Sequence, residues 1–195
     1  MKKLIITILV VAVVLLGATY ALNGVATANA QAEHLKTLQT LVPGSTTFTV
    51  EPYDGEDANI VSVHKGETGF VVETVTYGYA GNINMLIGVN NEGKVVGLVV
   101  RELSETYGLG ANALTDVDFL AQFLNKSGEF AVATVGADAF SGATGTATES
   151  TGETTDVDAL TGATVTSKAV VRAINSAVAY VTGADVSSSA TTWGG

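Results

Sequence analysis

The sequence has no cysteine among its 195 residues. This absence excludes disulfide bonds, iron–sulfur clusters bound by thiolates of this chain, and a lipoprotein anchor. Any redox chemistry would therefore use a bound organic cofactor or a metal held by a partner. The chain has two histidines, His34 and His64, and neither has a neighbour at metal-ligand spacing, so we expect both to be structural. The acidic turn Asp54–Asp57 lacks the longer alternation of oxygen ligands that a calcium loop needs.

Basic residues are also scarce. Nine lysines and arginines stand against nineteen acidic residues, and the formal net charge is −10. Two of the nine are Lys2 and Lys3, so the rest of the chain carries seven basic against nineteen acidic residues, or −12. An acidic surface argues against binding to nucleic acid and against adsorption to anionic lipid.

A long apolar run occupies the beginning of the chain. Leu4–Leu22 is almost uninterrupted, Lys2 and Lys3 precede it, and the next basic residue is Lys36. The run is long enough to span a bilayer as a helix, and the flanking charges predict a cytoplasmic N-terminus in the inner membrane with the remainder outside. The alternative is a signal peptide cleaved after Ala28-Asn29-Ala30. We favour a retained single-pass anchor, and either interpretation exports the domain.

The rest of the chain predicts an α+β fold, with a mainly antiparallel sheet and flanking helices. Leucines at helical spacing predict a juxtamembrane helix over Gln31–Leu41. Segments rich in Val, Ile, Phe and Tyr predict four strands: Asn59–Lys65, Gly69–Tyr77, Asn84–Asn90 and Lys94–Arg101. Asn90–Gly93 has the composition of a hairpin turn.

A short helix capped by Thr115 and ending near Asn125 is expected next, followed by a strand at Glu129–Val135 and a loop at Gly136–Thr155. The expected organisation is an anchor or signal peptide at 1–30, one domain at 31–183 and a flexible tail at 184–195.

Asp158–Ser167 is the most distinctive motif, and it reads Asp-Ala-Leu-Thr-Gly-Ala-Thr-Val-Thr-Ser. Gly162 permits a tight turn, and apolar residues recur at helical spacing from Lys168, where we expect a helix to begin. The N-terminus of a helix suits a phosphate, because its amides are unpaired and it carries a partial positive charge. On this physical pattern alone, the favoured interpretation is an ordinary helix capped by serine or threonine.

The motif resembles the flavinylation motif of the FMN-binding domain family, in which the last threonine of Gly-Ala-Thr carries FMN through a phosphoester bond. The matching residue here is Thr164. The resemblance implies a phosphate that rests against the amides of Ser167–Val170. It also implies further cofactor-binding residues around Thr164: Thr161, Gly162, Ala163, Thr166, Ser167 and Lys168. A second segment, Asp138–Thr144, fits the first part of the motif but lacks the following Thr-Ser and helix, and we favour Thr164 over Thr144.

A second part of the resemblance lies after the predicted strands. Glu105-Thr106-Tyr107-Gly108-Leu109-Gly110 resembles the Glu-Thr-Pro-Gly-Leu-Gly segment of the family, with Tyr107 in place of proline. Many members carry histidine where this chain has Leu103. By this resemblance, five residues would lie beside the flavin: Glu105, Thr106, Gly108, Leu109 and Gly110. Tyr77–Gly81 resembles the aromatic-glycine turn of the family, and the whole resemblance covers about Gly69 to Val181.

The resemblance implies an electron carrier rather than a stand-alone catalyst, with no catalytic and no metal-binding residue in this chain. Its length, its single anchor and its lack of cluster ligands are most similar to the G subunit of the Rnf complex, which passes electrons between ferredoxin and NAD⁺ and couples this to ion transport. The implied partners are the other subunits of such a membrane complex and a flavin transferase that moves FMN from FAD onto threonine. Two alternatives are a free-standing extracytoplasmic flavoprotein carrier and a cofactor-free exported binding module.

Overall fold

A computed structural model describes residues 27–103, 116–133, 154–160 and 162–184. Residues 27–41 form helix α1, which crosses the boundary between two units, Met1–Thr37 and Leu38–Gly195. The elements that follow α1 are strands β1 to β5 (Thr49–Glu51, Ile60–Lys65, Gly69–Tyr77, Asn82–Asn90 and Val95–Leu103), helix α2 (Val117–Ala121), strands β6 (Glu129–Ala133) and β7 (Thr154–Asp158), and helix α3 (Thr164–Thr182).

Strands β1 to β5 form an antiparallel sheet in which each strand pairs with its neighbours in sequence. The four predicted strands are confirmed to within two residues, and β1 is additional. The turn between β4 and β5 is also confirmed. There Asn90 Oδ1 accepts hydrogen bonds from the amides of Glu92 and Lys94 at 3.0 and 2.8 Å, and Gly93 has a φ of +79°. A positive φ is easily adopted only by glycine, so this residue type fixes the hairpin.

Helix α3 covers one face of this sheet. Its buried side chains pack against strand residues of both sheets, with Ala173 and Ile174 fully buried at the centre. Thr76 Oγ1 donates to the Ala169 carbonyl at 3.0 Å, and the Tyr180 ring packs edge-on against Phe70, with 6.0 Å between ring centroids. Because Thr76 lies near the end of β3 and Phe70 near its beginning, α3 runs antiparallel to β3, and its N-terminus lies at the end of the sheet where β3 ends.

The end of α1 covers the opposite face. Leu38, Leu41 and Val42 form a second, smaller core with Val71 and Leu86. Gly88 and Gly97 are cross-strand partners beneath Leu41, and a Cβ on Gly97 would lie 2.6 Å from the Leu41 carbonyl oxygen. Glycine at both positions therefore lets the backbone of α1 lie directly on the sheet.

Strands β6 and β7 form a separate two-stranded sheet, and they are parallel. The expected loop over Gly136–Thr155 is therefore wrong at its end, because β7 begins at Thr154. The strand predicted at Glu129–Val135 is confirmed as far as Ala133, and residues 134–135 lie outside the described part. The Asn175 side chain attaches this sheet to α3. It accepts from the Phe130 amide and donates to the Phe130 carbonyl, both at 2.9 Å.

Helix α2 differs from its prediction at both ends. Its N-cap is Asp116, not Thr115, and Asp116 Oδ1 accepts from the amides of Asp118 and Phe119 at 3.0 and 3.2 Å. The carboxylate satisfies two first-turn amides and also favours the positive helix end. The helix ends at Ala121, and turns continue to Asn125, which has a φ of +61°.

The described elements confirm an α+β fold with an antiparallel main sheet and flanking helices. No helix within residues 27–103, 116–133, 154–160 and 162–184 is long and apolar enough to cross a membrane. The apolar run Leu4–Leu22 lies outside these residues, as do the Ser104–Thr115 segment and the second motif copy at Asp138–Thr144.

Candidate functional site

A tight turn joins β7 to α3. The Ala163 amide donates to the Leu160 carbonyl at 2.9 Å, and Gly162, third in this turn, has a φ of +77°. A turn with a positive φ at its third residue requires glycine there, which explains the glycine of the motif. The end of β7 is also fastened, because the Gln122 side chain accepts from the Asp158 amide at 2.8 Å. The turn is therefore anchored at the strand from which it departs.

Helix α3 begins at Thr164, so the expected start near Lys168 is wrong. Its N-cap is Ala163, and no side chain makes a capping hydrogen bond. The interpretation as a helix capped by serine or threonine is therefore wrong as well. The Ser167 amide donates to the Ala163 carbonyl at 2.9 Å, so the amides of Ser167–Val170 belong to the helical ladder and are not the ones to face a phosphate. The amides of Thr164 and Val165 precede this ladder and remain for an external acceptor.

The motif hydroxyls fall into two groups. Thr164 is exposed, whereas Thr166 and Ser167 are 1% and 0% exposed. Ser167 Oγ donates to the Ala163 carbonyl at 3.0 Å and accepts from the Leu160 amide at 3.1 Å. This hydroxyl thus joins both ends of the turn. Of the hydroxyls in the described part of the motif, the one at the surface is that of Thr164, at the first helical position. Thr161 lies outside the described residues.

The part of α3 that follows Thr164 is positively charged. Helix α3 contains no acidic residue, and its basic residues are Lys168 and Arg172, both exposed. Because they follow Thr164 by four and eight residues, all three lie on one side of the helix. The helix dipole adds a further partial positive charge at this end. Arg172 is not among the site residues predicted from sequence, and it shares a side of the helix with Thr164 because α3 begins at Thr164.

The second predicted segment departs from the same end of the sheet. Tyr77 ends β3 opposite Asn82, and Leu103 ends β5 opposite Ile83. These strand ends lie at the end of the sheet where α3 begins. Glu105, Thr106, Gly108, Leu109 and Gly110 follow β5 directly but lie outside the described residues, so their cofactor contacts stay predictions.

The two histidines and the acidic side chains are the remaining possible metal ligands among the described residues. His64 is buried in β2, and its Nε2 lies 3.4 Å from Ser62 Oγ. Among the described residues, no group of three or more His, Cys, Asp or Glu side chains is placed to hold a metal ion.

A model of the FMN-binding domain matches residues 78–179, slightly more than half of the chain. The chain belongs to the FMN-binding domain family. The match contains both sequence segments described above and all of α3 up to Ala179. It begins after β3, so it is shorter than the resemblance expected from Gly69, and the FMN-binding domain of this protein uses strands outside the match to complete its sheet.

Three relatives of this chain are each named as the G subunit of an ion-translocating oxidoreductase complex. The chain is 38% identical over 113 residues to the G subunit of the proton-translocating ferredoxin:NAD(+) oxidoreductase complex of Clostridium ljungdahlii, a match that covers 58% of this chain and 53% of that protein. It is 34% identical over 111 residues to the G subunit of the Na(+)-translocating ferredoxin:NAD(+) oxidoreductase complex of Acetobacterium woodii, covering 56% and 47%. It therefore spans about half the length of these two relatives. The G subunit of an ion-translocating oxidoreductase complex of Methanosarcina acetivorans is 33% identical over 195 residues, covering 92% of this chain and 93% of that protein.

Proposed function

We propose that this protein is an electron-carrier subunit that holds FMN covalently, through a phosphoester bond to Thr164, in an ion-translocating ferredoxin:NAD⁺ oxidoreductase of the Rnf type. The observation that carries the proposal is the position of Thr164: an exposed hydroxyl at the first residue of an uncapped helix, within the region matched by the family. The names of the relatives support the choice of complex.

The described residues fit a phosphate ester at this position. The amides of Thr164 and Val165 have no acceptor in the helical ladder, and the side chain of the N-cap, Ala163, is a methyl group that cannot compete for them. Lys168 adds a positive charge one turn further along the same side of the helix. A negatively charged phosphate is stabilised by these groups together, whereas an acidic neighbour would oppose it, and α3 has none.

In this proposal the residues of the motif have different tasks. Thr164 Oγ forms the bond to the phosphorus of FMN while the pyrophosphate bond of FAD breaks, AMP leaves and the hydroxyl proton is lost. Thr161, Gly162, Ala163 and Lys168 surround the phosphate. Thr166 and Ser167, which are buried, support the turn from beneath. We assign the contacts to the flavin ring and its ribityl chain to Glu105, Thr106, Gly108, Leu109 and Gly110.

FMN supplies the redox chemistry when it is bound, and the protein contributes its position and electrostatic surroundings. The chain then acts as an electron-transfer subunit rather than as a stand-alone enzyme. We further propose a membrane anchor at 1–30 with a cytoplasmic N-terminus, an extracytoplasmic domain at 31–183 and a flexible tail at 184–195. A flavin transferase would attach the FMN.

The test is replacement of the attachment residue in cells that also produce a flavin transferase. Thr164→Val keeps the shape of the side chain but removes the oxygen, so in-gel flavin fluorescence after denaturation should disappear. Thr164→Ser keeps an oxygen and should retain some fluorescence. Thr144→Val, in the second copy of the motif, is the matched control and should leave fluorescence unchanged. Mass spectrometry of the peptide that contains Thr164 should show the added FMN in the wild type.

Three outcomes would contradict the proposal in whole or in part. Fluorescence that persists in Thr164→Val and disappears in Thr144→Val would place the flavin on the other copy of the motif. A wild-type protein without fluorescence, despite an active transferase, would favour the cofactor-free binding module. If fluorescence is present but the protein does not copurify with other membrane subunits, a free-standing carrier replaces the subunit of a complex.

A further inference from the structure

The first half of α3 has an exposed face that carries only positive charge. Val165, Lys168 and Arg172 are exposed and follow one another at intervals of three and four residues, which places them on one side of the helix. No aspartate or glutamate occurs in α3, although the whole chain has nineteen acidic residues. The face is therefore positively charged, although the protein as a whole is acidic.

These two basic residues differ from most others in the described part of the chain. Lys65, Lys94 and Arg101 form ion pairs with glutamates at 3.2, 3.0 and 3.3 Å. Within the described ranges Lys168 and Arg172 form none. Both residues also lie beyond the first turn of α3, where the helix dipole has little effect on a charge. Their positive charge therefore remains available to a negatively charged partner.

The turn that follows β3 lies beside the same face. Arg172 Nη2 donates to the Tyr77 carbonyl at 2.8 Å, which holds the guanidinium beside this turn. The Tyr77 side chain does not contribute to the face, because Thr76 contacts α3 and successive side chains of a strand point to opposite faces. Arginine is enriched among the residues that dominate the binding energy of protein interfaces. Because the main chain already fixes Arg172, less conformational entropy is lost when a partner binds it.

We propose that this α3 face (Val165, Lys168 and Arg172) is the docking surface for an acidic protein that exchanges electrons with the flavin. The inference rests on the proposed attachment of FMN to Thr164, which borders the face. Arg172 follows Thr164 by eight residues, about 12 Å along the helix axis. One phosphate group at Thr164 does not span this distance, so the phosphate of FMN does not account for Arg172.

The charge of the whole chain decides between possible occupants. With a net charge of −10, a second copy of this chain is repelled at long range, as is an extended polyanion or an anionic membrane. A folded partner with a limited acidic patch avoids most of this repulsion, and the exposed Val165 side chain provides an apolar contact that a protein can match. The surrounding negative charge then orients the partner, since attraction is confined to the face beside Thr164.

The docking proposal is tested by whether the rate of electron transfer rises or falls as salt is added. The flavin-loaded full-length protein is mixed in a stopped-flow instrument with a reduced flavodoxin, used as an acidic redox probe. Docking on the α3 face predicts a second-order rate constant, per bound flavin, that falls as ionic strength rises, whereas the net charges of the two proteins predict the opposite. Lys168→Gln with Arg172→Gln should lower the rate at low salt by about tenfold and reverse its salt dependence. Lys94→Gln with Lys126→Gln makes the same change in net charge and should behave as wild type.

A second measurement needs no flavin. Because the chain has no cysteine, Val165→Cys introduces a single thiol on the α3 face. The ratio of its reaction rates with a dianionic and an uncharged disulfide reagent reports the local potential. This ratio should exceed that of Val117→Cys, an exposed position next to Asp118, and should fall several-fold when Lys168 and Arg172 are also replaced by glutamine.

Three results would overturn the docking surface. The first is a wild-type rate with flavodoxin that rises with ionic strength. The second is a thiol ratio at position 165 no higher than at 117. The third is a glutamine double variant that loses binding to anionic lipid vesicles but keeps the flavodoxin rate, because the face would then be a lipid site. A wild type without covalent flavin refutes the proposed function instead, and the thiol ratio still decides whether the face is positive.

Discussion

Replacement of Ser167 by alanine tests the structural account of the turn that joins β7 to α3, where we propose that FMN is attached (the attachment turn). Ser167 Oγ accepts from the Leu160 amide and donates to the Ala163 carbonyl. After Ser167→Ala, the Ala163 carbonyl keeps the hydrogen bond from the Ser167 backbone amide, but the Leu160 amide loses its acceptor. A buried donor left without a partner costs about 1–3 kcal/mol, and because Leu160 is only half-buried, we expect about 1–2 kcal/mol. For a domain of this size each kcal/mol lowers the melting temperature by roughly 2–4 °C.

The same loss should affect attachment of the flavin. If the turn must be ordered again before Thr164 reacts, a cost of 1–2 kcal/mol slows covalent FMN incorporation about five- to thirtyfold. The assay follows the rise of covalent flavin with time, using purified protein, FAD and a flavin transferase. The maximal rate of FMN incorporation should fall. The protein concentration that gives half of this rate should not change, because the docking surface for the transferase is unchanged.

Ser176→Ala is the matched control. Ser176 is also buried in α3, and its Oγ accepts from Asn59 Nδ2 at 3.2 Å, three helical turns away from the attachment turn. We expect a loss of about 1 kcal/mol in stability and no change in the rate of incorporation. A Ser167→Ala protein that incorporates FMN at the wild-type rate would refute the positioning role. Equal slowing in both variants would show that general stability, not the turn, limits the reaction.

Three further predictions concern the fold. Asn175→Ala removes both hydrogen bonds to the backbone of Phe130 and should lower the free energy of unfolding by about 2–4 kcal/mol in urea denaturation; an unchanged midpoint would contradict the attachment of β6 to α3. Gly97→Ala forces a Cβ against the last residue of α1 and should cost about 1–3 kcal/mol, measured by thermal unfolding. Hydrogen bonds lower the pKa of Glu67 from 4.5 to about 2. The largest effect on this pKa comes from the backbone amide of Glu67 itself, and the next from the Thr47 hydroxyl. The ionised carboxylate therefore stabilises the fold above pH 4.5, and this contribution is lost as the pH falls toward 2, so the stability difference between wild type and Glu67→Gln should shrink over that range.

The main sheet could be predicted from sequence because its strands alternate with strong turn residues. Strand β7 could not, since Thr154–Asp158 contains a single buried apolar side chain, Val157, among threonines and aspartates. Its strand conformation depends on pairing with β6, which no local pattern reveals. Strand β1 was not predicted for a related reason, because three residues are too few to establish an alternation of polar and apolar side chains.

The motif at Asp158–Ser167 could likewise be predicted only in part. Resemblance indicated Thr164, but it did not reveal in which direction each hydroxyl points. Gly162 and Ala163 complete the turn so early that the helix begins at Thr164, which turns Thr166 and Ser167 inward. The start near Lys168 was predicted from apolar periodicity, and periodicity is weak over residues 164–167, where three of four are polar. The error in the helix start thus accounts for the error in the phosphate-facing amides.

Neighbouring residues of β3 and β4 contribute to different cores. Val71 and Leu86 contact the end of α1, whereas Val72 and Ile87, the next residues along each strand, pack in the core beneath α3. Successive side chains of a strand point to opposite faces, and close-packed interiors transmit strain. A displacement of Leu38, Leu41 and Val42 would therefore reach residues of β3 and β4 that are direct neighbours of those that support α3. The small core under Leu41 and the larger core under α3 are separated by the thickness of one sheet.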